Sequence, residues 1–356
     1  GSRDEIGVLA RAFNGLLADL REKDEAIKYL REDLTALRQA TPAPTAATQV
    51  VSPTDETLDA DAATVAQPAV TRSLERGQVF AQRYEIIGPV GKGGMGVVYR
   101  ARDRQLDEVV ALKLLRAEAL ASEPTLLDRF KQEIKLARRI THPNVLRTHD
   151  FGAADGVPFI SMEYLEGVTL KELVRNRGAL PLAVGLSFAK QMCRGLEAAH
   201  ERGVVHRDIK PHNMLILPES GELKIMDFGI ARPSQVGGED PSLTTAGTVM
   251  GTPDYMSPEQ AQGKPADFRS DIYSLGVVLF EALTGQLPFS GDTVTQIVIA
   301  HIQQAPPRPR SVNPALPVEL EEAILRCLDK DPEKRWPKVD PLVEALSRIS
   351  TASEAA

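Results

Sequence analysis

The sequence predicts an α+β chain with two lobes, a small β-rich one followed by a larger helical one, preceded by a coiled-coil helix and a disordered linker. Three observations carry this. Short β-branched and aromatic runs fill Tyr84 to Glu163, and apolar residues recur at helical spacing after Leu170. A Pro- and Thr-rich tract separates both from an N-terminal heptad pattern. The expected boundaries are a helix over 1–39, a linker over 40–76, lobes over 77–165 and 166–348, and a tail over 349–356.

The chain is long enough, at 356 residues, for two or three domains. Hydrophobic residues make up 42% and charged residues 26%, which excludes wholesale disorder and an integral membrane protein. A net charge of −7 and the lack of a long Lys/Arg run argue against nucleic acid as a partner. Cys193 and Cys327 match no metal or redox spacing and read as reduced thiols of a cytoplasmic protein. No apolar run is long enough to span a bilayer, and no secretory leader is present. Gly1-Ser2 reads as a remnant of expression, so the natural chain is expected to begin further upstream.

In the N-terminal zone Ile6, Leu9, Phe13, Leu16, Leu20, Lys23, Ile27, Leu30, Leu34 and Leu37 follow one another in alternating steps of three and four. That is a heptad seam, with Ile6 at position a and one charged residue, Lys23, to fix register. The favoured expectation is a parallel coiled-coil homodimer; the alternative is a single amphipathic helix packed on the folded domain. From Ala40 to about Ser73 the period vanishes, and Pro42, Pro44, Pro53 and Pro68 interrupt a tract too poor in bulky apolar residues to offset ordering entropy. This segment reads as a flexible linker.

In the first lobe, strands are expected at Tyr84–Ile87, Gly96–Ala101, Glu108–Leu115, near Val145–Asp150 and at Phe159–Glu163, with a helix around Pro124–Ile140. Helices are expected at Ala183–Arg202 and Ser270–Leu283 in the second. The run Val90-Gly91-Lys92-Gly93-Gly94-Met95-Gly96-Val97-Val98 holds G-x-G-x-x-G-x-V, a backbone that can approach phosphate oxygens closely. A dinucleotide-binding turn shares this pattern but opens a helix. Here Val97-Val98-Tyr99-Arg100-Ala101 is a strand, so the glycines sit at a hairpin. Lys113 ends the apolar run Val109-Val110-Ala111-Leu112, where an ammonium needs anions around it. Glu133 is the candidate carboxylate, with Glu118 and Glu123 as alternatives.

Further along, His206-Arg207-Asp208-Ile209-Lys210-Pro211-His212-Asn213 is followed by Asp227-Phe228-Gly229. Together with the glycine run and Lys113, these residues resemble the protein kinases, specifically the bacterial branch of eukaryotic-like Ser/Thr kinases (Hanks type). The resemblance covers about three quarters of the chain, in the right order, and implies the bilobal protein-kinase fold.

The resemblance also implies roles. Asp208 would accept the proton of a substrate hydroxyl, and Lys210 would contact the transferring γ-phosphate of ATP and favour Ser/Thr acceptors. Asn213 and Asp227 would offer hard oxygens to Mg²⁺, or to Mn²⁺. Lys113 and Glu133 would form the ion pair that orients the phosphates. Val90, Gly91, Lys92, Gly93, Gly94, Met95, Gly96 and Val97 would cover the nucleotide. Val98, Ala111 and Leu215 would pack on the adenine, with Met162 as gatekeeper and Glu163, Tyr164 and Leu165 as hinge. His206 is expected to act structurally and Asp271 to anchor the catalytic-loop backbone. Glu259, in Ser257-Pro258-Glu259 where most of the family has Ala-Pro-Glu, would pair with Arg335.

The segment between Gly229 and Ser257 carries Thr244, Thr245 and Thr248, and a phosphate there would pair with Arg207 and Arg232. Autophosphorylation of one or more of the three is the expected activation step, with Thr252 lining the substrate pocket. The expected function is phosphoryl transfer from MgATP to Ser/Thr hydroxyls of protein substrates in bacterial signal transduction, and the alternative is a nucleotide-binding pseudokinase scaffold. Asp4-Glu5-Ile6-Gly7-Val8-Leu9-Ala10-Arg11-Ala12-Phe13-Asn14 resembles the second helix of a HAMP signalling module. That likeness implies a receptor anchored in the bacterial inner membrane, with its kinase domain in the cytoplasm.

Overall fold

The computed structural model describes residues 15, 17–32, 73–93, 96–115, 134–135, 137–228 and 253–349. Two compact units emerge. The smaller takes in the described parts of Thr45–Arg138 together with Leu146–Glu166; the larger takes in the N-terminal helix, Arg139–Val145 and everything from Gly167 onward.

The smaller unit is a six-stranded antiparallel sheet in the order β1-β2-β3-β4-β6-β5. Its strands are β1 (Val79–Phe80), β2 (Tyr84–Gly93), β3 (Gly96–Asp103), β4 (Glu108–Leu115), β5 (Thr148–Ala154) and β6 (Val157–Glu163). Phe80, Tyr84, Ile86, Tyr99, Leu112 and Phe159 form its core. The Phe159 ring meets Phe80 and Tyr84 edge-on at 5.3 and 5.6 Å, the arrangement aromatic quadrupoles favour. Gly152 faces that ring so closely that a β-carbon would lie 2.6 Å from it, which is why a glycine interrupts β5. The strand expected near Val145–Asp150 starts three residues later, at Thr148, because Val145 bridges instead to Ile225 in the larger unit.

The larger unit is helical around a small three-stranded sheet, β7 (Val168–Thr169), β8 (Met214–Leu217) and β9 (Glu222–Ile225), in the order β7-β8-β9. We number its helices α1 (17–32), α2 (Leu170–Arg177), α3 (Leu182–His200), α4 (Pro258–Ala261), α5 (Phe268–Thr284), α6 (Val294–Gln303), α7 (Pro309–Val312), α8 (Val318–Cys327) and α9 (Asp340–Ser347). Helix α5 is buried without interruption from Ser270 to Thr284, so its apolar residues run all round rather than as a stripe. Its Leu283 fills the space over Gly185 of α3, where a β-carbon would fall 2.4 Å from it. Asp267 caps the start of α5, and Gly285 closes its end with φ +73°. Among the described residues, no helix is long and apolar enough to cross a membrane.

Helix α1 realises the packed-helix alternative over 17–32. Its buried face runs through Glu22, Ala26 and Leu30, spaced by four, whereas the seam residue Leu20 is 51% exposed. The physical reason lies in α3, whose Lys190 and Arg194 draw Asp19 and Glu22 inward. The remaining seam residues, with the HAMP-like stretch, the linker and most of the helix expected at Pro124–Ile140, lie outside the described residues; backbone at 134, 135 and 137 is helical.

A buried ion pair ties the C-terminal helices together. Arg335 donates from Nη1 and Nη2 to the two carboxylate oxygens of Glu259, each at 2.8 Å, from Nη1 also to the Arg269 carbonyl and from Nε to the Asp329 carbonyl. Burial pushes the Glu259 carboxyl up, but the Arg335 hydrogen bonds and charge more than offset this and hold it below its ordinary value of 4.5. The pair's contribution is therefore complete above that ordinary value and fades as pH falls through the depressed one. Removing either partner strands the other charge. Arg335→Ala or Glu259→Ala should lower unfolding stability by about 3–5 kcal/mol at pH 7 in urea titrations. Glu259→Gln should narrow the gap to the wild type as the solution is acidified below about pH 4.

Candidate functional site

Two constellations carry the residues singled out in the sequence, one in each unit. In the smaller unit β2 and β3 form the expected hairpin, with Gly93 opposite Gly96. A β-carbon at Gly96, whose φ is +156°, would stand 1.9 Å from the Leu114 carbonyl oxygen. Only glycine lets the hairpin lie this close to β4, so this position is fixed by packing as well as by any ligand. Gly94 and Met95 at the tip lie outside the described residues.

Strand β4 is buried without interruption from Val110 to Leu115. Lys113 lies within that run, only 8% exposed, opposite Val98 on β3 and Ile160 on β6. Its predicted carboxylate, Glu133, lies outside the described residues, as do Glu118 and Glu123. Ala111 pairs with Met162, both buried, and the side chain of Glu163 turns back to accept the Arg147 amide at 2.7 Å. Tyr164 stacks under the Arg100 guanidinium at 4.8 Å, which gives the segment after β6 a fixed ring. Val90 is buried at the end of the β2 apolar run, and Val97 and Val98 are half-buried.

In the larger unit, the catalytic-loop sequence hangs from a single buried carboxylate. Asp271, on the first turn of α5 and wholly buried, accepts the backbone N–H of His206 at 2.8 Å and of Arg207 at 2.7 Å. His200 Nε2 lies 2.8 Å from it as well. Arg207 has φ +64°, a left-handed conformation that a non-glycine residue holds only when its surroundings impose it. The carbonyl of Arg207 is held from the other side by Gln260 Nε2 at 2.9 Å. Gln260 is itself fixed in a reciprocal cap with Ser257, and this explains the departure from Ala-Pro-Glu: serine caps α4 where alanine cannot.

His206 is buried and its two nitrogens are both engaged. Nδ1 accepts the Asp208 amide at 3.2 Å, so Nε2 carries the proton and donates to the Met226 carbonyl at 2.8 Å. The ring also meets Phe228 edge-on at 4.6 Å. With no nitrogen left over, this imidazole joins the loop before Asp208 to the segment around Asp227. The structural expectation for His206 agrees with this geometry.

Asp208 is a quarter exposed, so its carboxylate is open to a reactant. One oxygen lies 2.9 Å from Lys210 Nζ and 3.1 Å from Asn213 Nδ2. Asn213 also donates to the Asp208 carbonyl at 2.8 Å, so both bonds use its amide nitrogen rather than its side-chain oxygen. That oxygen and the Asp227 carboxylate are hard donors of the kind Mg²⁺ takes from a protein when phosphate and water complete its shell. Asp227, like Arg207, has positive φ, at +61°. Leu215, on β8, is buried and pairs with Lys224. Arg232, Thr244, Thr245, Thr248, Thr252 and Gly229 lie outside the described residues.

Sequence reasoning missed Asn144. Its side chain donates to Gln191 Oε1 and the Leu223 carbonyl, and its own carbonyl accepts the Ile225 amide at 2.9 Å. These bonds bind Arg139–Val145 to β9, and β9 delivers Asp227. Nothing local marks the residue, because its partners are 47 and 79 positions away. Gln260 was likewise invisible, though a capping box S-x-x-Q at Ser257 could have announced it.

Asp271→Ala should leave the His206 and Arg207 amides buried without an acceptor. A loss of about 2–5 kcal/mol in stability is expected, with faster hydrogen exchange at Arg207 as the local readout. An unchanged exchange rate there would show that the loop does not hang from this carboxylate.

The chain matches the protein kinase domain family over residues 84–345. It is 42% identical over 265 residues to the serine/threonine-protein kinase pkn3 of Myxococcus xanthus, covering 73% of this chain and 48% of that protein. It is 40% identical over 260 residues to PrkC of Bacillus subtilis, covering 73% and 39%. Identity to PknB of Mycobacterium leprae is 38% over 274 residues, covering 76% and 43%. The chain thus spans less than half the length of these relatives. Among solved structures, the PknI kinase domain of Mycobacterium tuberculosis is similar at a TM-score of 0.62 and 27% identity, covering 77% of this chain and 98% of that one.

Proposed function

The chain belongs to the protein kinase family, and from that premise we propose that it transfers the γ-phosphoryl group of ATP to serine or threonine hydroxyls of proteins in bacterial signal transduction. The observation that carries this reading is Asp208, open to solvent yet fixed through Asn213, Lys210 and the backbone bonds of its loop. Little covalent chemistry is asked of the protein in such a transfer. Positioning and charge are the main demands, and a loop held at both flanks supplies the first.

In this reading Asp208 orients the acceptor hydroxyl and takes its proton late. Lys210 Nζ, already beside that carboxylate, places positive charge where the transferred group gains negative charge. Asn213 and Asp227 would hold Mg²⁺, which would supply the positive charge that neutralises the phosphates. Mn²⁺ offers the same hard-oxygen preference. Gly91, Gly93, Gly94 and Gly96, with Val90, Lys92, Met95 and Val97, give the phosphates a close-fitting backbone. Lys113, with Glu133 as its proposed carboxylate partner, would meet the phosphates with its ammonium. Val98, Ala111, Met162 and Leu215 give the adenine apolar contact, and the backbone from Glu163 to Leu165 reads its edge.

Regulation follows the same chemistry. A phosphate on Thr244, Thr245 or Thr248 is proposed to pair with Arg207 and Arg232 and so to order the segment before Ser257. Self-association through the heptad seam into a homodimer would raise the local concentration of one catalytic domain before another. The HAMP-like stretch supports a natural protein tethered to the inner membrane with its catalytic domain in the cytoplasm.

Incubation with γ-labelled ATP, Mg²⁺ and a generic basic protein should label both the protein and the chain itself. Asp208→Asn should retain nucleotide binding but transfer label about 10²–10⁴-fold more slowly. Binding without label transfer by the wild type would instead identify a scaffold. Alanine at Thr244, Thr245 and Thr248 together should remove most chain autophosphorylation and lower the rate on the added protein. Full activity in that triple variant would rule out activation-loop control at these positions.

A further inference from the structure

Helix α1 carries two faces that can each bury side chains, one mixed and one apolar. The first is the docked face seen here. Glu22 and Ala26 are 1% and 0% exposed, and Leu30 is 1% exposed. Lys190 on α3, itself 2% exposed, donates to Glu22 at 2.8 and 2.9 Å and to Asp19 at 3.0 Å. Arg194 adds a bond to Asp19 at 2.6 Å. Ile27 sits against the β8–β9 turn, where a β-carbon on Gly221 would come within 2.9 Å of it, and Tyr29 lies under the Arg177 guanidinium at 5.5 Å.

The second face is the heptad seam. At 100° per residue, Leu20, Lys23, Ile27 and Leu30 are centred about 70° around the helix from Asp19, Glu22, Ala26 and Leu30. In the docked state the seam is left half open: Leu20 is 51% exposed and its neighbour Leu17 37%. The two faces share Leu30, a d position of the seam, and they also meet at Lys23 and Ile27. Asp19 and Ala26 are g positions and flank any partner helix. Two helices packed along the seam would have axes roughly 8–10 Å apart, so a partner helix would need the space beside Asp19, a g position, and Ile27, an a position, where Lys190 and Arg194 of α3 and Gly221 of the β8–β9 turn already lie.

We infer that docking of α1 on α3 and pairing of α1 with the same helix of a second copy are mutually exclusive states of this protein. The occupant of the open seam is a second copy of the chain, because the heptad steps, with Lys23 their one charged position, run without a break from Ile6 to Leu37. The docked contact is suited to reversal. Its centre is an ion pair whose two members sit on separable elements, so each regains water when the helix leaves and neither is stranded. Pairing requires two released helices. The apparent dimer dissociation constant is therefore the intrinsic one divided by the square of the released fraction. A chain released one time in ten would dimerise roughly 100-fold more weakly than its seam allows. Docking thus sets the concentration at which two catalytic domains meet. The inference rests on the homodimer proposed above.

Three measurements on the full chain test it together: sedimentation equilibrium, circular dichroism as a check on folding, and acylation of Lys190 read by mass spectrometry. Glu22→Lys, a c position outside the seam, should tighten the dimer at least 10-fold and expose Lys190 to reagent. Leu20→Glu, which touches only the seam, should abolish the dimer and leave Lys190 shielded. In the wild type, Lys190 reactivity should rise with concentration in step with the dimer fraction, a test that needs no variant. A Glu22→Lys chain that is folded yet monomeric at every concentration overturns the inference through the homodimer itself. A wild-type dimer whose Lys190 stays shielded leaves the homodimer standing and overturns the exclusivity.

Discussion

A buried carboxylate on the first turn of a buried helix, Asp271, is the constraint from which the candidate site follows. It collects two consecutive backbone amides and an imidazole, and those bonds hold Arg207 in a conformation it would not adopt alone. The next residue, Asp208, inherits its direction from that anchor. The same carboxylate stands on a helix buried from Ser270 to Thr284, so the precision of the loop derives from the rigidity of the core.

The second support comes through hydrogen bonds that run between short segments. His206 passes its proton-bearing nitrogen to Met226 and its lone pair to Asp208, so the loop and the segment bearing Asp227 share one ring. Gln260 reaches Arg207 from a helix that is itself anchored by Glu259 and Arg335. Fold stability and site geometry are consequently not independent here. A substitution at Arg335, remote in sequence, loosens the helix that restrains the Arg207 carbonyl.

In helix α1 the face that is buried is not the one the heptad spacing marks. Heptad spacing describes what the helix could pair with, while Lys190 and Arg194 describe what it finds first within its own chain. Acidic residues beside the seam, unremarkable as solvated flank positions, become the centre of the docked face once α3 supplies two cations.

By itself the sequence determined the two-lobed α+β plan, the β2–β3 glycine hairpin, the buried strand that holds Lys113 and the order of the loop residues from His206 to Asp227. It could do so because each rests on local periodicity, on a glycine that sterics demand, or on a contiguous motif. The pairings of Asp271 with the loop and of Glu259 with Arg335 were reached only through resemblance to a family. Tertiary structure alone decided the binding of Arg139–Val145 to β9 through Asn144, the bracing of Arg207 by Gln260, and the face that α1 buries. Each of those depends on partners dozens to more than a hundred residues apart, and hydrogen bonds and ion pairs over such separations leave no periodic trace in a chain.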